Sequence, residues 1–145
     1  MPYPEELIAP MRDDLVQLGF KELRTAEEVD EVLGTERRTT VVAINSVCGC
    51  SAGGMRPGVA SSLDNDTKPE VLVSVFAGQD LEATERAREY FTGYPPSSPA
   101  IALMKDGELV FMLERHEIEG RHPLEIADTL KAAYDEHCSV SQEVS

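Results

Sequence analysis

The apolar positions of the first third of the chain follow helical and strand-like patterns in turn. Residues 5–18 place their apolar side chains at helical spacing, which predicts an N-terminal helix. Phe20–Leu23 alternates apolar and charged residues, as a short edge strand does. Thr25 and Glu28 have the spacing of a capping box, and Gly34 marks the end of the helix that this box predicts. The chain is therefore expected to begin helix, strand, helix.

Two apolar runs predict buried strands in the middle of the chain. The run Thr39–Val47 is rich in β-branched residues and almost continuously apolar, as expected of a central strand that is covered on both faces. Glu70–Phe76 has the same character. Between them, Met55–Leu63 predicts a helix that is bent at Pro57, because proline cannot donate a backbone hydrogen bond to the preceding turn.

The next segments predict a helix and a hairpin. Asp80 is a candidate cap for a helix that runs to Phe91, with Leu81 on its inward face. A proline-rich loop follows. Asp106–Gly107 then separates two apolar runs, and an Asp-Gly dipeptide in that position strongly favours a β-hairpin.

The final helix and the order of the elements complete the predicted fold. His122–Pro123 opens a helix to about His137, with Leu124 among its inward residues. Residues 1–138 show no repeat and no linker, which predicts one domain, and residues 139–145 are expected to form a flexible polar tail. Right-handed crossovers make the first three strands parallel, with helices on both faces and an antiparallel hairpin at one side.

Composition narrows the range of functions. The 145 residues include 13 basic and 27 acidic ones, so the formal net charge is −14, which repels nucleic acid and anionic membranes. The first six residues lack the basic and apolar regions of a secretory signal, and no apolar run approaches the roughly 18 residues of a membrane span. We therefore expect a cytoplasmic protein that binds neither nucleic acid nor membranes.

The segment Cys48–Gly49–Cys50 carries the candidate chemistry. It follows the predicted central strand and precedes small residues, so it lies at a strand-to-helix junction. A helix N-terminus at that point would stabilise a thiolate and lower the pKa of the first thiol. Two cysteines one residue apart close only a small ring, so their disulfide is strained and easily reduced. This pattern favours thiol–disulfide exchange over structural cross-linking.

Other interpretations of the cysteine pair remain open. Cys48 and Cys50 could be two small buried residues, or two ligands of a zinc or iron–sulfur site that needs further ligands. The remaining candidate ligands form no pair at the usual spacing: Cys138, His116, His122 and His137. The two histidines of the last helix are expected to be exposed, and Cys138 to be structural, without a catalytic role. Asn45 and Ser46 either orient the cysteine loop or only cap the strand end.

Two segments resemble the bacilliredoxin family of the thioredoxin superfamily, and the resemblance extends over nearly the whole chain. The first is Val47–Gly53 with the following Arg56–Gly58, and the second is Pro95–Ala100 before the hairpin. The resemblance implies an α/β fold, a thioredoxin-like mixed sheet with helices on both faces and an N-terminal helical extension. One position departs from thioredoxin itself, which has a buried acid six residues before its first cysteine, where this chain has Val42.

The resemblance also implies roles for individual residues. Cys48 corresponds to the attacking thiol and Cys50 to the resolving thiol, with Gly49 as their spacer. Ser98–Pro99 corresponds to the peptide bond that members of the superfamily hold in the cis form beside the active site.

The implied activity is removal of bacillithiol from mixed disulfides on protein cysteines, with disulfide isomerase or reductase activity as well. Bacillithiol is then a co-substrate, no cofactor is tightly bound, and the partners are proteins with mixed disulfides or disulfides, a low-molecular-weight thiol and a reductase. The alternative function is a binding module that uses the cysteine pair as ligands for zinc or an iron–sulfur group.

Overall fold

The computed structural model describes residues 3–138 of the chain. Helices and strands alternate along most of that length. The helices are α1 (Glu5–Val16), α2 (Ala26–Leu33), α3 (Arg56–Ser62), α4 (Leu81–Glu89), α5 (Arg115–Ile118) and α6 (Pro123–His137). The strands are β1 (Lys21–Glu22), β2 (Thr40–Asn45), β3 (Val71–Phe76), β4 (Ala100–Lys105) and β5 (Glu108–Leu113).

The five strands form one mixed sheet in the order β1-β3-β2-β4-β5. Strands β1 and β2 both pair with β3 in parallel, whereas β4 is antiparallel to β2 and β5 is antiparallel to β4. At the hairpin turn Asp106 has a φ of 56° and Gly107 a φ of 79°, as the two central residues of a tight hairpin turn require. The predicted parallel strands, edge strand and hairpin are thereby confirmed.

Strand β2 lies in the centre of the sheet and is buried along its whole length. Its side chains alternate between two apolar clusters. Val41 and Ala43 face a cluster that contains residues of α1, α3 and α6, whereas Val42 and Ile44 face one that contains residues of α2 and α4. The apolar run of β2 is therefore continuous because both faces of the strand are covered, as predicted.

Arg12 connects helix α1 to the edge of the sheet and is 5% exposed. Its guanidinium donates to Glu5 at 2.7 Å, to Glu22 at 2.7 Å and to both carboxylate oxygens of Asp80 at 2.8 and 3.1 Å. The same group lies 5.4 Å from the centre of the Phe76 ring. Asp80 lies at the N-cap position of α4 as predicted, but its carboxylate is bound to Arg12 and makes no capping hydrogen bond.

Two predicted inward residues are exposed. Leu81 and Leu124 are 56% and 59% exposed, respectively. Both lie in the first turn of their helix, before the face that packs on the sheet begins at Ala83 in α4 and at Ile126 in α6. Helical spacing placed them correctly on the apolar stripe, but the end of each helix projects beyond the core.

The helix after the cysteines also differs in detail from its prediction. Ser51–Met55 forms a π-helical turn, in which the Arg56 N–H bonds to the Ser51 carbonyl five residues earlier. Helix α3 starts directly after this turn, and Pro57 is its second residue. The structure therefore has a π-helical turn before Pro57 where a bend was expected.

Two further predictions concern the C-terminal tail and membrane-spanning segments. The proposed tail, residues 139–145, lies outside the described residues. Within residues 3–138, no helix combines the length and the apolar character that crossing a membrane requires.

Candidate active site

The two cysteine thiols lie side by side just beyond the end of β2. Their sulfur atoms are 2.6 Å apart, and both cysteines are free and partly buried. Cys50 packs against the apolar cluster formed with α3 and α6. At Gly49 a Cβ atom would meet no other atom within 4 Å, so the spacer lies in open space. The sulfur of Cys48 is thus within direct reach of Cys50.

The polar residues before the cysteines orient the loop. The Ser46 hydroxyl accepts a hydrogen bond from the Cys48 N–H at 3.2 Å and lies 3.1 Å from the Ser51 hydroxyl. The Asn45 side-chain oxygen in turn accepts from the Ser46 N–H at 2.9 Å. Of the two interpretations left open for Asn45 and Ser46, orientation of the cysteine loop is the one that these contacts favour.

Arg56 holds this loop from the following helix, and it is 5% exposed. Its Nη1 donates to the Asn45 side-chain oxygen at 2.7 Å and to the Ser46 carbonyl at 3.0 Å, while its Nε donates to Asp14 at 3.0 Å. Asn45 also donates from Nδ2 to the Met11 carbonyl at 3.0 Å. The cysteine loop is therefore tied to both α1 and α3.

The two thiols have pKa values shifted in opposite directions. Hydrogen bonds from the Cys50 thiol and the Cys50 N–H, the latter at 3.5 Å, together with the charge of Arg115, lower the pKa of Cys48. Burial, and then the hydrogen bond and charge of Cys48, raise the pKa of Cys50. Cys48 is therefore the member of the pair that ionises first.

The predicted source of the low Cys48 pKa, the N-terminus of the following helix, contributes through one N–H group. The helical segment begins at Gly49, and the Cys50 N–H in its first turn points at the Cys48 sulfur at 3.5 Å. The next N–H groups, from Ser51 and Ala52, bond to the Cys48 carbonyl oxygen at 2.9 and 3.3 Å. The thiol of Cys50, which is the largest influence, and the charge of Arg115 also stabilise the thiolate.

Arg115 is the site residue that the sequence analysis missed. Its Nη2 lies 3.3 Å from the Cys48 sulfur, its Nη1 donates to the Ser98 carbonyl at 3.1 Å, and its Nε lies 3.2 Å from a Glu119 carboxylate oxygen. Arg115 opens the short helix α5, which has no apolar periodicity to predict it. The only local signal was the spacing of Glu114 and Glu117, which form a capping box around it.

The Ser98–Pro99 peptide bond is cis, as the resemblance implied. Its position follows from the sheet, because β4 is antiparallel to β2 and pairs Ala100 with Ile44 near the end of β2 that leads to the cysteines. Ser98 and Cys48 contact the same guanidinium group of Arg115. The two segments singled out in the sequence therefore meet at one end of the sheet.

Within the part of the chain that the structure describes, no third ligand residue lies close enough to Cys48 and Cys50 to share a metal ion with them. Between residues 3 and 138, the one group of three potential ligand residues close enough to share an ion is Glu114, His116 and Glu117, and it contains no cysteine. Cys138 is 4% exposed at the end of α6. His122 is exposed and caps α6 by accepting from the Leu124 N–H at 3.1 Å, whereas His137 is partly buried, contrary to expectation.

Comparison with known proteins places the chain in a family. The sequence model of the family described as "Disulphide isomerase" matches residues 3–138. A bacilliredoxin of Shouchella clausii is 52% identical over 136 residues, which cover 94% of this chain and 95% of that protein. A bacilliredoxin of Koribacter versatilis is 49% identical over 139 residues, 96% of each chain. One from Salinibacter ruber is 52% identical over 140 residues, 95% of this chain and 82% of its own.

Two solved thioredoxin structures have a similar fold. Mitochondrial thioredoxin 3 of Saccharomyces cerevisiae in its oxidised form matches with a TM-score of 0.54 and 16% identity, covering 82% of this chain and 96% of that one. A mutant thioredoxin of Halobacterium salinarum matches with a TM-score of 0.54 and 19% identity, covering 82% and 90%. These likenesses confirm the thioredoxin-like fold. The chain belongs to the bacilliredoxin family, also described as disulphide isomerase, and is a thiol–disulfide oxidoreductase.

Proposed function

We propose that the protein removes bacillithiol from mixed disulfides on protein cysteines, with Cys48 as the attacking thiol and Cys50 as the resolving thiol. The observation that supports this assignment is the contact of the two sulfurs at 2.6 Å together with the opposite shifts of their pKa values. The name shared by the relatives, bacilliredoxin, supports the choice of bacillithiol as the thiol.

The first step is an exchange of one disulfide for another. The Cys48 thiolate attacks the bacillithiol sulfur of the mixed disulfide, which forms a Cys48–bacillithiol disulfide and breaks the bond to the client sulfur. The electron pair of the broken bond leaves with the client cysteine, which is released as a thiolate. No net oxidation or reduction occurs, since one disulfide replaces another.

The second step uses the close approach of Cys50. Its thiolate attacks the Cys48 sulfur, forms the Cys48–Cys50 disulfide and expels bacillithiol as a thiolate. The Cys48 charge that raises the pKa of Cys50 is gone once Cys48 carries the adduct, so the resolving thiol loses its proton more easily at the stage where it is needed. An outside thiol and a reductase then supply the two electrons that restore both thiols, and no tightly bound cofactor is required.

The surroundings of the pair fit transfer of a small thiol better than rapid general disulfide reduction. Val41 and Ala43, on the Cys50 side of β2, are apolar and fully buried, and Val42 faces the opposite cluster. No side chain of β2 therefore offers Cys50 a buried carboxylate as proton acceptor.

The proposal also includes a secondary activity and a location. The secondary activity is isomerisation of protein disulfides, and the proposed location is the reducing cytoplasm.

The proposed activity is tested on a client protein carrying one bacillithiol mixed disulfide. The wild type should return the client to its free thiol, whereas Cys48→Ser should leave the client fully modified. A matched client carrying an intramolecular disulfide and a third carrying scrambled disulfides measure reductase and isomerase activity separately. Wild-type protein that leaves bacillithiol on the client while reducing or reshuffling the other two would contradict the proposed substrate.

A further inference from the structure

We infer that Arg115 is a catalytic residue that stabilises the Cys48 thiolate, both when Cys48 attacks a disulfide and when Cys48 leaves the Cys48–Cys50 disulfide. The inference deepens the proposed function and rests on its assignment of Cys48 as the reacting thiol. It is independent of which small thiol the protein removes.

The first support is geometric. Arg115 Nη2 lies 3.3 Å from the Cys48 sulfur, within hydrogen-bond reach of a thiolate. The rest of the guanidinium is already held, because Nη1 donates to the Ser98 carbonyl at 3.1 Å and Nε lies 3.2 Å from Glu119. The Arg115 N–H also donates to the Ser97 hydroxyl at 3.4 Å. A donor fixed in place before the reaction stabilises charge without reorganising during it.

The second support is the balance of charge at the sulfur. The groups that act on the charge of Cys48 are Cys50, Arg115 and Glu119. Arg115 favours the thiolate and lowers the pKa of Cys48, whereas Glu119 opposes it. Glu119 binds Nε, while Nη2 faces the sulfur, so the cation lies directly at the sulfur and the carboxylate is bound to another nitrogen of the same group. In a chain of net charge −14, this arrangement supplies positive charge at the reacting atom.

The same contact acts on the disulfide equilibrium. Reduction of the Cys48–Cys50 bond by dithiothreitol transfers two electrons to the protein sulfurs and forms a disulfide in the reductant. A group that stabilises the Cys48 thiolate stabilises the reduced protein, which makes the protein disulfide a stronger oxidant. Loss of Arg115 should therefore favour the oxidised protein.

The first test measures the ionisation of Cys48 in a Cys50→Ser background, which leaves one thiol in the motif. The rate of alkylation by iodoacetamide is followed against pH, and peptide mapping restricts the readout to Cys48. Arg115→Gln should lower the thiolate fraction at pH 7 roughly three- to tenfold, since it removes the positive charge that lies beside the thiolate. Arg115→Lys should restore part of the loss.

The matched control is Arg86→Gln. Arg86 is 42% exposed and pairs with Glu89 on its own helix, as Arg115 is 43% exposed and pairs with Glu119. It should leave the Cys48 titration unchanged, and circular dichroism of each variant checks that the fold is retained. A Cys48 titration in Arg115→Gln that matches the one in Arg86→Gln would overturn the inference.

The second test measures the equilibrium with dithiothreitol in the chain that keeps both cysteines. Arg115→Gln should shift the ratio of oxidised to reduced protein several-fold toward the disulfide, an effect that loss of packing alone does not produce with this sign. An unchanged ratio would contradict the leaving-group role. Neither measurement uses bacillithiol, so failure of the proposed substrate and failure of the Arg115 assignment give different results.

Discussion

The Arg56 guanidinium donates to the side-chain oxygen of Asn45 at 2.7 Å, and the pair joins the helix that follows the cysteines to the strand that precedes them. Both residues are buried. Because Arg56 also bonds to the Ser46 carbonyl, one side chain ties the segment before Cys48 and Cys50 to the helix that follows them. The reactivity of the thiols is therefore linked to the contact between Arg56 and Asn45, which involves neither thiol.

Arg56→Met is predicted to destabilise the protein by about 2 to 4 kcal/mol, because it leaves the buried Ser46 carbonyl and one acceptor site of Asn45 without a partner. The free energy of unfolding in urea measures this. Arg24→Met, which removes a pair between the exposed Arg24 and Glu5, should leave stability almost unchanged. Equal losses in the two variants would show that Arg56 has no special structural role.

The identity of residue 50 is predicted to set the pKa of Cys48. The thiol of Cys50 is the largest influence that lowers that pKa. Cys50→Ala removes the donor, so the pKa of Cys48 should rise, whereas Cys50→Ser keeps a hydroxyl donor and should raise it less. Thiolate absorbance against pH compares the two variants, and identical titrations would show that the hydrogen bond from residue 50 is unimportant.

Gly58→Ala is predicted to destabilise the contact between α3 and α6. A Cβ at residue 58 would lie 2.8 Å from Cγ2 and 2.9 Å from Cβ of Ile126. Overpacking of this kind costs about 1 to 3 kcal/mol, which exceeds the gain in helix propensity.

Gly53→Ala is the matched control for this substitution, since a Cβ at residue 53 meets no atom within 4 Å. Thermal unfolding should show a lower midpoint for Gly58→Ala and no decrease for Gly53→Ala. A Gly58→Ala protein as stable as the control would mean that the two helices separate at little cost.

Sequence patterns predicted the parts of the fold that local chemistry determines. The Asp106–Gly107 turn, the capping box of Thr25 and Glu28 and the central position of the run that became β2 follow from turn geometry, helix capping and continuous hydrophobicity. The proximity of the Cys48 and Cys50 thiols follows from their spacing in the sequence alone. These features need no knowledge of distant residues.

The features that were missed depend on contacts between distant residues. Arg115 follows β5 and reaches Cys48 across 67 positions because β5 pairs with β4 and β4 lies beside β2 in the sheet. The charged segment around Arg115 has no periodicity of its own. Asp80 had the spacing of a cap, but Arg12, 68 positions away, binds its carboxylate. Local pattern suggests what a residue can do, and the tertiary fold decides which partner it has.

The central claim is that Cys48 takes the small thiol from the client and Cys50 releases it. Its most direct test is the mass of the Cys50→Ser protein after one round of reaction with a bacillithiol-modified client. We predict a stable bacillithiol adduct on Cys48, located by peptide mapping, together with one equivalent of free client thiol. An adduct on Cys50 in the Cys48→Ser protein, with none on Cys48 in the Cys50→Ser protein, would contradict the assignment.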